Sequence, residues 1–523
     1  MSVLPEWKAR KDADLPVGKP PLNPEQRNGG RDFLRMVRLR AGALQRGESA
    51  ESISQAVSAE GLSPITLAMG AGGTGKSEMV HELDAQMRAM GCGHLLVTAY
   101  TGVAAAPFKG PTLLSVFNLG VESKNSKRIE QMSHGRREAA RKKFKDECGV
   151  EIDNIGGIVI DEVSFNELEI FGHLDGRLRQ LTGNVDVLCG GIPLLLCGDN
   201  HQKPPTNNCP WYKDMVKNAE EQGELLKGGP TTSKARGLEL LRAARRVQLW
   251  RNMRARFDQA FVKVQEQMRN TDEERPVPTN FVRGLRKVST KDLNDDEEWR
   301  FAPVGVLQRE ERDVINVAQA EAFACTFGLP LIRWRLDMVD EIDNKLLRDD
   351  VYEDEDHLWG YFVEGAPINL TENMSSTRGL VNGSAGILDS LSFVGGVIPP
   401  ELQAAEANAA SLRGVDVVRV DLAEAPLSVN VRVGGKKSPP GESPGSAPGS
   451  VLWHGVELED LEGLIESVTT DGTQVVSLLM STHVKKEAVA LRGLVAAQNN
   501  LAEHVKIAKQ HPYRLAFALT VGP

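Results

Sequence analysis

No stretch of this sequence approaches the roughly 18 consecutive apolar residues that a membrane-spanning helix needs, so no helical span is expected. The N-terminus, MSVLPEWKARKDADLPVGKP, lacks an apolar signal core and carries acids, which argues against secretion and against a clear transit peptide. The six cysteines (Cys92, Cys148, Cys189, Cys197, Cys209, Cys325) show no C-x-x-C spacing. That speaks against a zinc site and for a reducing compartment. An excess of positive charge is also missing. The formal net charge is −9, which at face value disfavours a nucleic-acid coat protein.

The negative charge is unevenly placed. Residues 337–357, DMVDEIDNKLLRDDVYEDEDH, hold ten acids and two bases, which leaves the rest of the chain near neutral. Residues 121–147 hold nine bases and five acids, concentrated in GRREAARKKFK. A near-neutral body with a local basic patch is compatible with a channel that grips phosphates. The plainer reading of either run is a solvated helix or loop face.

With 523 residues, 41% hydrophobic and 25% charged, the chain is long enough for several globular domains. Residues 1–21 are rich in Pro and Lys and read as a loose N-terminus. From residue 22 to 245 short apolar runs alternate with helical patterns. The runs are PITLAMG (64–70), HLLVTAY (94–100), IGGIVID (155–161) and PLLLCGD (193–199). Continuous apolar runs between helices predict a buried parallel sheet, hence an α/β fold. A second apolar and helical region spans 246–523 and includes the acidic segment 337–357. It also carries the Gly/Pro/Ser stretch VGGKKSPPGESPGSAPGS (433–450), which reads as a flexible loop.

Gly70-Ala71-Gly72-Gly73-Thr74-Gly75-Lys76-Ser77 fits G-x-x-x-x-G-K-[ST] between a strand and a helix. Glycines let backbone N–H groups come close to phosphates, and the following helix N-terminus adds free donors and a favourable dipole. The reading assigns Lys76 to the β and γ phosphates of a triphosphate and Ser77 to Mg²⁺. A phosphate loop also needs a metal-holding acid on a neighbouring strand. Asp161 ends the run GIVID and would hold Mg²⁺, while Glu162 would orient and deprotonate the attacking water. An isolated Asp-Glu pair is usually surface charge; the loop upstream gives this one a function. Gln202, three residues past Asp199, is placed to sense the γ phosphate; the alternative is a plain turn of Asn and Pro.

In this order, GAGGTGKS, VTAYTGVAA, VIDEVSF and LCGDNHQKPP resemble the PIF family of ATP-dependent DNA helicases, RecD-like enzymes of superfamily one that move 5′ to 3′. LNPEQR (22–27) resembles the family's adenine-reading segment, with Gln26 as the reader. LWRNMRARFDQAF (249–261) resembles the opening of the second motor domain, with Arg254 as arginine finger. NMSSTRGLVNGSAGIL (373–388) resembles the start of a small SH3-like insertion, expected at about 380–505. YRLAFALT (513–520) resembles the strand that leads to a DNA-gripping motif.

The resemblance implies two RecA-like P-loop motor domains with parallel sheets, 22–245 and 246–523, the second carrying the SH3-like β insertion. It implies ATP and Mg²⁺ as cofactors, with the nucleotide held by Gln26, Gly70, Gly72, Gly73, Thr74, Gly75, Lys76 and Ser77. It implies single-stranded DNA and duplex junctions as partners, with Thr101 and Gly102 on the phosphate backbone. Phe108 or Phe117 could stack on bases, although apolar packing is the plainer fate of either. A monomer in the nucleus or mitochondrion, acting in DNA repair, recombination or telomere maintenance, is the family-level expectation.

Tyr100, Leu114, Phe165, Lys203 and Ala255 depart from the family's usual residues, and none of these changes removes a hydrolytic group. After LAFALT the family continues into His-Lys-x-Gln-Gly and a later Ala-Leu-Ser-Arg, whereas this sequence reads Val521-Gly522-Pro523. The second motor domain is therefore expected to be incomplete at its C-terminal end. Two alternatives to a working helicase follow: a degenerate helicase that binds nucleic acid without unwinding it, and a P-loop ATPase acting on proteins. GDNHQKPP and TGVAA argue against the last.

Overall fold

The computed structural model describes residues 22–119 save Lys109, 133–202, 205, 210–215, 232–269, 279–337 save Asp296, 345–372, 374, 380–394 and 398–433. Beyond these it describes 453–456, 467–468, 474–479, 489–490, 504–505 and 510–520. Most of the Gly/Pro/Ser stretch, residues 121–132 of the basic run, and residues 373 and 375–379 of the segment NMSSTRGLVNGSAGIL lie outside the described residues. No helix among the described residues is long and apolar enough to cross a membrane.

Two compact units divide at Arg286 and Lys287. The first is built on five parallel strands: β1 (Ile65–Gly70), β2 (His94–Ala99), β3 (Ile155–Asp161), β4 (Leu194–Gly198) and β5 (Arg245–Leu249), in the order β2-β3-β4-β1-β5. Successive side chains of a strand face opposite sides, so these runs feed two cores. Ile65, Leu67, Ile158, Ile160, Leu194 and Leu196 pack on one face. Ala68, Val159, Leu195 and Cys197 pack on the other, against α1 (Pro24–Gln45) and α3 (Lys76–Met90), with α2 (Ala50–Ala59) beyond α1. Burial on both faces explains why each of these runs is continuously apolar.

Two features differ from the sequence reading. The acid-bearing strand β3 is not the neighbour of β1, because β4 lies between them. The strand β5, Arg-Arg-Val-Gln-Leu, gives no apolar signal, since it is an edge strand with mostly exposed side chains. Its register still matters, because Leu249 pairs with Gly70 at the mouth of the phosphate loop.

On the first face the helices Leu168–Thr182 and Ser233–Ala243 touch backbone to backbone. A Cβ on Gly172 would lie 1.7 Å from the Ser233 carbonyl oxygen, and one on Gly237 would lie 2.0 Å from that of Leu168. A rigid core cannot absorb such an overlap. Gly237→Ala should therefore cost this unit about 3 kcal/mol, the upper part of the overpacking range, read as a lower urea midpoint.

The second unit mixes short parallel pairings with a larger, mainly antiparallel sheet. β6 (Val304–Val306) runs parallel to the strand Ala518–Thr520. β7 (Leu331–Arg335) lies between a parallel partner, Arg419–Leu422, and the antiparallel β8 (Trp359–Phe362). The larger sheet includes Pro367–Leu370, Ala385–Val394, Ser428–Val433 and Gln474–Leu479. This β-rich segment overlaps the span where the sequence suggests an SH3-like insertion. YRLAFALT forms two short strands, and Asn316 clamps the second, its Oδ1 accepting from the Ala518 N–H at 2.7 Å.

The acidic segment also receives a physical account. Residues Lys345–Asp354 form a helix whose Val351 and Tyr352 are buried, while Asp349 pairs with Arg335. Acids line the outside of a helix that contributes two side chains to the core.

Candidate active site

The loop 70–77 leaves β1 and opens directly into α3. Two of its glycines require the left-handed region: Gly73 at φ +86° and Gly75 at φ +83°. This geometry is supported from outside. The Gly73 carbonyl accepts from the N–H groups of Met253 (2.8 Å) and Arg254 (3.1 Å). The Thr74 carbonyl accepts from the Gln26 side-chain amide at 2.9 Å, and the Gly75 carbonyl accepts from the same nitrogen at 3.3 Å. With three of its carbonyls engaged from outside, the loop can turn N–H groups to an anion, apart from that of Thr74, which donates to Ala71 O at 3.2 Å. Lys76 Nζ donates to Gly70 O at 2.7 Å and Ala71 O at 3.3 Å. Its charge thus rests inside the loop.

Asp161 closes β3 and is 9% exposed. Its Oδ1 accepts the Glu162 N–H at 2.9 Å. Burial raises its pKa, against the pull of that hydrogen bond and of Lys76. Glu162 sits at φ +56°, left-handed although it is not glycine. Such a residue carries a strain of order 1–3 kcal/mol and persists where surrounding structure dictates it. Burial raises the Glu162 pKa first, and repulsion from Asp161 adds to it, while Lys76 opposes both. A raised carboxyl is a better proton acceptor than an ordinary glutamate.

At the end of β4, Asp199 is 2% exposed and held by a bidentate ion pair from Arg269, at 2.6 and 2.7 Å. Burial works against its charge, but the Arg269 hydrogen bonds and the His201 amide outweigh burial and hold its carboxyl below the usual range. Its carbonyl accepts the Gln202 N–H at 3.0 Å. The Gln202 amide nitrogen lies 3.9 Å from where a Cβ on Gly72 would stand, so the sensor candidate faces the loop. The intervening strand β4 explains this arrangement. Strands sit about 4.8 Å apart, so the segment that follows β4 emerges between the ends of β1 and β3.

The Arg269–Asp199 pair was not legible in the sequence, because seventy residues separate its partners. Breaking it leaves a buried carboxylate without a counter-charge. Arg269→Ala should lower the stability of this unit by about 2–3 kcal/mol, and adding Asp199→Asn should recover most of that. The sign of the pH dependence follows from the lowered value. The pair contributes above the ordinary Asp value of 3.8 and is lost as pH falls through the depressed one. The gap between wild type and Arg269→Ala in denaturant midpoint should therefore close in acid.

Arg254 lies in the same compact unit as the phosphate loop. Its backbone touches Gly73, and its side chain is exposed. Gln26 is 3% exposed and belongs to the capping box that starts α1. The Thr101 hydroxyl accepts the Ala104 N–H at 3.3 Å, capping the short helix that Gly102 opens at the end of β2. Phe117 is buried in the core, and Phe108 leans on His81 at 4.8 Å between ring centroids. Apolar packing is thus the observed environment of both. Asn252 escaped the sequence reading; its amide bonds to Gln265 (3.1 Å) and its Oδ1 caps Ala255 (2.9 Å), which fixes the turn that supports Gly73.

A glycine-rich loop between strand and helix, a lysine within it and two carboxylates at a nearby strand end are the parts of a P-loop nucleotide-binding fold. Comparison with known proteins agrees with this architecture: residues 46–275 match the PIF1-like helicase family. ATP-dependent DNA helicase PIF1 of Saccharomyces cerevisiae (strain YJM789) is 27% identical over 325 residues, 61% of this chain and 33% of the relative. Uncharacterized protein 030L of Invertebrate iridescent virus 6 is 26% identical over 314 residues, 56% of this chain and 54% of that protein. The chain thus spans a third of the yeast relative's length. Among solved structures, Bacteroides Pif1 bound to single-stranded DNA aligns with 87% of this chain and 79% of its own, at 16% identity and a TM-score of 0.46.

Proposed function

We propose that this protein is an ATP-dependent DNA helicase that hydrolyses ATP with Mg²⁺ while travelling on single-stranded DNA. The observation that carries the reading is the convergence of Lys76, Asp161, Glu162 and Gln202 on one loop within a PIF1-like region. The residues fit the cofactors. Mg²⁺ finds hard oxygen donors in the Ser77 hydroxyl and the Asp161 carboxylate, and a triphosphate finds the loop N–H groups and Lys76. When bound, the metal would neutralise phosphate charge.

The chain's own residues account for the remaining steps. Lys76 offers its ammonium to the outer phosphates in place of the two carbonyls that it now holds. Glu162 takes a proton from water, with a carboxyl made more basic by burial and by Asp161. Gln202 reports the state of the γ phosphate through Asp199, to which its backbone is bonded. Arg254 serves as arginine finger, and Thr101 and Gly102 follow the DNA backbone, which carries no sequence information.

The test is ATP turnover by the whole chain, with and without single-stranded DNA, together with unwinding of a forked duplex. Several-fold stimulation by DNA together with unwinding is the expected result. Stimulation without unwinding would favour the nucleotide-dependent binding protein, and DNA-indifferent turnover would overturn the motor reading.

A further inference from the structure

Two of the residues that depart from the family's usual pattern, Tyr100 and Phe165, meet in the structure. Their rings are parallel to within 7°, with centroids 6.2 Å apart. That angle and spacing are those of an offset stack, one of the favoured aromatic arrangements. Strand register brings the two together. β2 and β3 are parallel neighbours in which Ala99 faces Asp161, so the chain leaves both strands at the same level, at Tyr100 and at Glu162. Both rings are half-buried, and among the described residues neither belongs to the cores that flank the sheet. Core packing therefore does not account for the pair.

Each ring sits on a turn that has a task. Tyr100 precedes Thr101, whose hydroxyl accepts the Ala104 N–H and whose carbonyl accepts the Ala105 N–H at 3.2 Å. Phe165 ends the single 3₁₀ turn Val163–Phe165 that Glu162 caps. Its N–H donates to the Glu162 carbonyl at 3.1 Å, and Trp211 Nε1 donates to the Val163 carbonyl at 2.9 Å. Glu162, at φ +56°, needs such support, because a left-handed residue other than glycine persists only where its neighbours dictate it. Among the described residues no hydrogen bond or ion pair crosses from 100–102 to 162–165, whereas the two rings do make contact.

We propose that Tyr100 and Phe165 are positioning residues that tie the left-handed turn of Glu162 to the segment Thr101–Gly102, so that a single strand held on that segment steadies the base for hydrolysis. The proposal rests on the helicase reading above and deepens it. A strand seated on Thr101 and Gly102 restricts the turn that carries Tyr100. The stacked ring then restricts Phe165, whose N–H holds the Glu162 carbonyl. An offset aromatic pair shifts a balance between two turn conformations by about threefold to tenfold. The rings take no part in the chemistry itself.

The experiment measures ATP turnover and oligothymidylate affinity of the whole chain for wild type, Tyr100→Ala, Phe165→Ala, the double variant and Tyr100→Phe. Turnover without DNA and affinity for the strand should stay close to wild type, while stimulation by DNA falls about threefold to tenfold in each alanine variant. The double variant should lose no more than either single one, because all three remove the same contact. Tyr100→Phe keeps the ring and should match wild type. Full stimulation in the alanine variants, or losses that add in the double variant, would overturn the proposal. So would a loss of strand affinity in Tyr100→Ala that by itself explains the lost stimulation, since Tyr100 would then be a DNA contact. Amide hydrogen exchange without nucleotide or DNA supplies the independent arm. The Phe165 N–H should exchange faster in Tyr100→Ala, and unchanged exchange sinks the link. If DNA does not stimulate wild type, the motor reading fails separately, and the exchange result still decides whether the stack holds the turn.

Discussion

Lys76→Ala should reduce ATP turnover at least a hundredfold, the scale on which a preorganised electrostatic partner of a transferring group acts. The geometry gives the reason. Nζ sits 2.7 Å from Gly70 O and 3.3 Å from Ala71 O, already inside the loop. An arriving triphosphate exchanges those two carbonyl partners for charged oxygens, and charge-assisted hydrogen bonds are roughly twice as strong as neutral ones. Alanine removes the only side-chain cation that the loop itself carries. Lys76 also acts on Asp161, Glu162 and Asp199, holding down the pKa of each. Its loss leaves three carboxylates around an anion site. The check is steady-state hydrolysis at saturating ATP, beside a DNA-binding measurement that shows the chain still folded. Turnover within tenfold of wild type would remove Lys76 from the chemistry.

Glu162→Gln should slow hydrolysis by about 10²–10⁴, the range for loss of a positioned proton acceptor, while nucleotide binding persists. The two effects separate because Gln keeps the size and the left-handed turn but cannot accept the proton. Stability should move the other way. Glu162 is a partly buried carboxylate beside a buried Asp161, and neutralising one of the pair removes both a desolvation cost and a repulsion. The melting temperature of the unliganded protein should rise by about 1–3 °C in the variant. Glu162→Gly adds relief of the backbone, since φ +56° is unstrained for glycine, and should melt higher still. Single-turnover hydrolysis and a thermal melt on the same samples check this. Retained hydrolysis in Glu162→Gln would assign the base elsewhere.

Much of this site was legible because its chemistry is local in sequence. The run PITLAMG followed by GAGGTGKS specifies strand, loop and helix within fourteen residues, and each apolar run that ends in a polar cluster became a strand of the parallel sheet. The rest depended on long-range placement. β5 is a polar edge strand, and periodicity registers only burial. The order β3-β4-β1 is a topological fact that no spacing encodes. Arg269 reaches Asp199 from the end of a helix with no buried residue of its own, so nothing local marks it. In the acidic segment, charge concealed Val351 and Tyr352, which tie its helix to the core. For Glu162 the residue type pointed to the chemistry, but its positive φ could be known only from the backbone.

The hydrogen bonds made to the loop from outside bear on protein engineering. A phosphate loop looks like a portable cassette of eight residues, and residues 70–77 could be cut and pasted by sequence alone. In this chain the carbonyls that orient the cassette are satisfied by Gln26 and by the turn at 253–254, which lie about fifty residues before it and more than 170 after it. A graft of 70–77 alone carries the consensus without the scaffold that shapes it. Fragment swaps between relatives would succeed when the first turn of α1 and the end of β5 travel with the loop. Random libraries confined to the consensus would sample positions whose best partners lie outside the library.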